Sequence, residues 1–152
     1  MHLHVNEAMT LPSETTVQVW TRLIRAHKAA MAHVDSALKR NKMPPLIWYD
    51  ALLALERAGP DGLRPYELEG SLLLPQYGVS RLVERLAKEG HLQRVSCEDD
   101  GRGQSLVITP SGLELRQQMW KVYGPAIEEA VGKKLTSEDA SRLSELLPSL
   151  FE

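Results

Sequence analysis

The side chains best suited to chemistry in this chain are those that bind polyanions and base edges, rather than nucleophiles or metal ligands. Gln76, Tyr77, Ser80, Arg81 and Arg85 fall within one short stretch, where Val79, Leu82, Val83 and Leu86 recur at i, i+3, i+4 and i+7. As a helix, that spacing turns the apolar set to the core and leaves Gln76, Tyr77, Ser80, Arg81 and Glu84 on the opposite face. Gln, Ser and Arg there can read base edges or hold phosphates. The bland alternative is the wetted face of any surface helix. A second feature is Arg102, set between Gly101 and Gly103, with Asp100 two residues before it. An arginine on a glycine-flanked tip fits a narrow minor groove, and a nearby carboxylate can accept the guanidinium's hydrogen bonds and orient it.

Other chemistry has little support. There is one cysteine, Cys97, which excludes an internal disulfide framework and cysteine-rich zinc modules. It reads as a half-buried structural thiol. His2 and His4 form a lone His-x-His pair, and His27 falls on an apolar stripe, where a hydrogen-bonded interface histidine is the simpler reading. No Ser-His-Asp arrangement, carboxylate pair, phosphate-cradling glycine loop or metal-ligand spacing rises above chance in the sequence. The expectation is a protein that is not an enzyme and that uses no cofactor and no metal. A third reading, an enzyme using Cys97 with His91, would need a thiol of depressed pKa.

The elements that must position these groups are legible from periodicity and caps. Residues 1–12 have no periodic pattern and read as a flexible arm. Ser13 suits an N-cap, and no proline or glycine follows until beyond Lys42. Within this stretch Val17, Trp20, Ile24, His27, Met31, Val34 and Leu38 alternate at spacings of three and four, a heptad seam that calls for a second helix, often from another subunit. Pro44-Pro45 ends that helix and opens the next, through Trp48, Leu52, Leu53 and Leu55 to Ala58-Gly59-Pro60. Leu63-Arg64 suits a short extended piece. Pro65 starts a brief helix, and Pro75 starts the candidate reading helix, which Gly90 stops.

The period then changes. Leu92 to Cys97 and Gln104 to Thr109 read as strands of a hairpin whose tip is the glycine-punctuated segment from Glu98 to Gly103. Helical periodicity returns from Ser111 to Val131, with Gly124-Pro125 predicting a kink or break. Thr136-Ser137-Glu138-Asp139 starts a last helix with Leu143, Leu146, Leu147 and Leu150 on one face. Helix, short helix, second helix and hairpin form the order of a mainly α winged helix-turn-helix, here with long N- and C-terminal dimerisation helices. The expected division is a helical dimerisation region at 13–43 and 113–152 around a winged helix-turn-helix lobe at 44–112.

Specific residues sharpen this reading. Val79-Ser80-Arg81-Leu82-Val83-Glu84-Arg85-Leu86, with Gly90, Leu92 and Arg94 after it, resembles the recognition helix and following strand of the MarR (multiple antibiotic resistance regulator) family. That family has Asp-x-Arg in its wing and a Leu-Thr-x-x-Gly element at the start of the next helix. Here Asp100-Gly101-Arg102 and Thr109-Pro110-Ser111-Gly112 match, with Ile108 where leucine is usual. The likeness in helix order runs from about Ser13 to Leu150, but the specific motifs lie between Ser80 and Gly112. It implies a homodimeric, cytoplasmic transcriptional regulator, commonly a ligand-responsive repressor, bound to double-stranded DNA at a pseudo-palindromic operator. Gln76, Tyr77, Ser80, Arg81, Arg85, Asp100 and Arg102 would be its DNA-binding set. It also implies a small aromatic or amphipathic anion in a cleft, for which Trp20, His27, Met31, Trp48, Tyr49 and Trp120 are candidates.

Composition bounds these expectations. Of the 152 residues 43% are apolar and 25% charged, enough for a folded core without a staple. Met1 to Thr10 lack the cationic start and apolar run of a signal peptide, and no apolar run approaches a membrane span. The net charge is −2, and from Arg64 to Arg102 six basic residues face seven acidic ones. Phosphate contacts must therefore be few and well placed. That near-neutral lobe also motivates the alternative of a winged-helix protein-interaction module without DNA affinity.

Overall fold

A computed structural model of the chain describes residues 9–73, 78–96 and 103–152. Helix α1 spans Glu14–Arg40. Ser13 starts it as expected, its hydroxyl accepting the Thr16 amide at 3.1 Å, and Glu14 adds negative charge to the positive end of the helix dipole. The helix is about 40 Å long, yet only Val34, Ala37 and Leu38 near its C-terminal end are buried. Trp20 and Ile24 on the same seam are 66% and 46% exposed.

Helix α2 (Leu46–Ala58) follows Pro45 and is the centre of the molecule. Its Ala51, Leu52 and Leu55 pack with Leu68, Val83, Leu86, Leu92 and Leu106 in one core. Its Leu46 and Tyr49 pack with Val34, Ala37, Leu38, Met119 and Ala126 in a second. An almost wholly apolar α2 is thereby explained, since each side faces a different set of helices.

Helix α3 covers Pro65–Ser71, and the Glu67 carboxylate accepts the Arg64 amide at 3.0 Å. Helix α4 is Val79–Lys88, so it begins later than a start at Pro75. Gly78 has φ 84, a left-handed conformation that an α-helix cannot continue through. Pro75 itself lies outside the described residues. The strands β1 (Leu92–Ser96) and β2 (Gln104–Ile108) pair antiparallel, with Leu92 opposite Ile108 and Ser96 opposite Gln104.

Helix α5 spans Pro110–Ala130 without a break, although Gly124-Pro125 lies inside it. Proline removes one backbone bond there, but fully buried Met119 and buried Ala126, on either side, lock the helix into the second core. The helix therefore continues through the position where the sequence allowed a break. Helix α6 (Ser137–Leu146) starts at Thr136, whose hydroxyl accepts the Asp139 amide at 3.1 Å. Leu143, Leu146 and Leu150 on it and on the 3-10 turn that follows are exposed, Leu146 to 67%. Among the described residues no helix is long and apolar enough to cross a membrane.

Candidate nucleic-acid interface

Val83 and Leu86 anchor α4 in the first core, and Val79 and Leu82 pack against it. The face turned away presents Ser80, Arg81, Glu84 and Arg85, all exposed. Arg85 lies 3.9 Å from Glu89 one turn on, a solvent-screened contact that does not prevent the guanidinium from reaching elsewhere. Arg94 is exposed on the neighbouring strand. The other expected contacts, Gln76, Tyr77, Asp100 and Arg102, lie outside the described residues, as does Cys97.

Two sets of bonds fix the hairpin beside this helix. Leu63 forms a bridge to Leu106, with N–H···O distances of 3.0 and 2.7 Å. Ser105 adds a hydroxyl bond to the Asp61 carbonyl at 2.6 Å. Leu63, on the short extended piece expected from the sequence, thus adds an isolated bridge to the two-stranded hairpin. On the other side, Thr109 ties α4 to α5. Its hydroxyl caps α5 by accepting the Gly112 amide at 3.1 Å and donates to the Gly90 carbonyl at 2.5 Å, while its amide donates to His91 at 3.2 Å. Gly112 is buried where the first turn of α5 abuts this corner. A Cβ on it would meet the His91 carbonyl well inside contact distance and Ile108 Cγ1 at 2.9 Å. The Thr-x-x-Gly motif is therefore a mechanical joint between the end of α4 and the start of α5.

A second joint connects α2 with α5. Arg116 Nη2 donates to Glu56 Oε1 at 3.1 Å, and Arg116 Nε also contacts Glu56 Oε2, with only 15% of the arginine side chain exposed. The His91 ring is 3.0 Å from the Ser111 hydroxyl through Nδ1 and packs edge-on to Trp48, with centroids 6.1 Å apart.

The six candidate ligand residues do not share one cleft. Tyr49 and Trp120 are stacked 6.1 Å apart, and Tyr123 packs edge-on to both, at 5.0 and 5.8 Å. Gly124 makes room for this group, since a Cβ there would sit 3.2 Å from the Trp120 ring. Met31 instead lines a cavity of about 450 Å³ with Leu38, Met43, Pro45 and Ile47. Trp48 faces His91, and Trp20 and His27 lie on the exposed first half of α1. The sequence reading did not single out Asp50 and Arg57, which join Tyr49, Leu53 and Trp120 around a cavity of about 280 Å³. The available signal was the spacing 46, 49, 50, 53 and 57, which puts a carboxylate and a guanidinium on an otherwise apolar helical stripe.

A buried-face helix held beside a two-stranded wing and flanked by long helices defines a winged helix-turn-helix protein. The family model of the MarR family matches residues 42–103. A MarR family transcriptional regulator from Streptomyces coelicolor, solved in complex with DNA, superposes with a TM-score of 0.82 at 28% identity, covering 95% of this chain and 91% of that one. MarR from Escherichia coli in its apo form superposes with a TM-score of 0.68 at 18% identity, over 95% of this chain and all of that one. The multiple antibiotic resistance protein MarR of Salmonella typhimurium is 26% identical over 89 residues, which are 59% of this chain and 62% of the relative. The match to these curated relatives thus spans about three fifths of their length. In sequence over the reading lobe and in fold over nearly the whole chain, the protein is similar to the MarR family.

Proposed function

We propose that this chain is a homodimeric, sequence-specific DNA-binding transcriptional regulator of the cytoplasm, a repressor released by a small molecule. The observation that supports it best is the exposed Ser80-Arg81-Arg85 face of α4, held rigidly beside the hairpin by the Leu63–Leu106 bridge and the Thr109 joint. Helix α4 would enter the major groove, and Arg102, oriented by Asp100, would follow the adjacent minor groove. The unpartnered apolar seams of α1 and α6 support a division into dimerisation helices (13–43 and 113–152) and a reading lobe (44–112). A two-fold dimer then matches a two-fold operator.

Control by a ligand requires different affinity for two spacings of the reading lobes. The Glu56–Arg116 pair and the Thr109 joint are the links through which a change at α5 would reach α4. Selection of bound fragments from random DNA, followed by salt titration, tests the reading. The expected result is a pseudo-palindromic consensus whose affinity falls linearly with the logarithm of salt. The near-neutral lobe favours one rival, a protein-interaction module; no enrichment of any sequence would support it.

A further inference from the structure

We infer that the cavity between α2 and α5 is a site for an organic cation with an aromatic or methylated head, anchored by Asp50. The assignment rests on the ligand-responsive reading above and gives its ligand a chemical class. Asp50 is a half-buried carboxylate on the wall that also contains Tyr49 and Trp120. Tyr49, Trp120 and Tyr123 form one contiguous aromatic group, with centroids 5.0 to 6.1 Å apart, and Trp120 keeps 47% of its surface exposed. Aromatic faces beside a carboxylate recognise organic cations, because the ring quadrupoles and the anion attract the same charge.

The field within the cavity agrees with this placement. Burial, the neighbouring Tyr49 and the Asp50 charge hold the Tyr123 hydroxyl above its ordinary pKa, so it remains a neutral donor. An anionic ligand would meet that same carboxylate. Arg57, the other charged residue of the lining, is exposed and lies two helical turns along α2, about 10 Å away along the axis.

Asp50 also gives the site a connection to DNA reading. Its Oδ2 accepts the Leu73 amide at 2.7 Å, on the segment that leads to Gly78 and α4. A cation drawing on Asp50 competes with that bond and so with the anchoring of the chain at Leu73, just after α3.

Benzyltrimethylammonium and benzoate, probes of similar size and opposite charge, test the proposal by calorimetry on the full-length protein. The expected result is that the cation binds and benzoate binds at least about tenfold more weakly. Asp50→Asn retains an oxygen for the Leu73 amide and should weaken the cation about tenfold, while Trp120→Leu should weaken it about threefold to tenfold. Preference for benzoate, no binding of either probe, or unchanged cation binding in both Asp50→Asn and Trp120→Leu would overturn the assignment. Binding that leaves operator affinity unaltered would overturn the coupling through Leu73. Failure of the probe-free protein to bind any DNA would overturn the proposed function instead, and the calorimetry would still decide the site.

Discussion

Two glycine-to-alanine substitutions, both inside helices, should change stability in opposite directions. At Gly112 the added methyl meets the His91 carbonyl, His91 C at 3.0 Å and Ile108 Cγ1 at 2.9 Å. That carbonyl is held by the Thr109 amide at 3.2 Å, so backbone must move. Overpacking of this kind costs roughly 1–3 kcal/mol, and a backbone obstacle puts it near 3. Alanine's better helix propensity returns about 1 kcal/mol, leaving a net loss of about 2. At this chain length that lowers the melting temperature by roughly 4–8 °C. Gly70, in α3, has nothing within 4 Å of a built Cβ and an ordinary φ. Gly70→Ala should gain up to about 1 kcal/mol and raise the melting temperature by roughly 2–4 °C. Thermal melts at one fixed protein concentration make the comparison, since dimer stability depends on concentration. A Gly112→Ala protein that melts with or above the parent would refute the argument that the Thr109–Gly112 joint is sterically closed.

Four further outcomes are expected. Arg102→Ala should reduce the salt slope of operator binding by about one charge and weaken A·T-rich flanks most. Arg81→Ala should change the preferred central bases at roughly 1–3 kcal/mol; equal, sequence-blind losses in binding assays would reduce both to general charge. Ile24→Glu, on the exposed seam of α1, should halve the mass seen by light scattering at micromolar concentration while leaving the helical content intact. For Tyr123, a hydroxyl pKa raised above 10.0 means that the unfolded chain loses its proton first as pH rises, so this residue's contribution to stability declines above about pH 10. Tyr123→Phe should remove part of that alkaline decline in urea melts and leave neutral stability nearly unaltered; an unchanged alkaline slope would discount the buried hydroxyl.

Much of the architecture was written in local chemistry. The caps at Ser13, Thr109 and Thr136 are used by the helices that follow them, because a cap depends only on residues three or four apart. The change from helical to alternating period located the hairpin for the same reason. The motif residues of the joint, Thr109 and Gly112, were visible as a pattern, but why glycine is required became clear only when His91 was found against it. Of the kink or break expected at Gly124-Pro125, the break does not occur, since Pro125 stays within α5 between buried Met119 and Ala126.

The sequence by itself therefore determined the order of elements, the apolar face of α4 and the unpartnered seams of α1 and α6, since each follows from spacing along one segment. Only the tertiary structure decided which faces meet. It divided α2 between two cores, left Trp20 and His27 on the exposed part of α1 apart from the Tyr49–Trp120 pair, and brought Asp50 to the cavity beside the aromatic group and to the Leu73 amide. Periodicity tells a side chain to be buried but not against what, and a pocket is made by residues distant in sequence whose meeting depends on how whole helices cross.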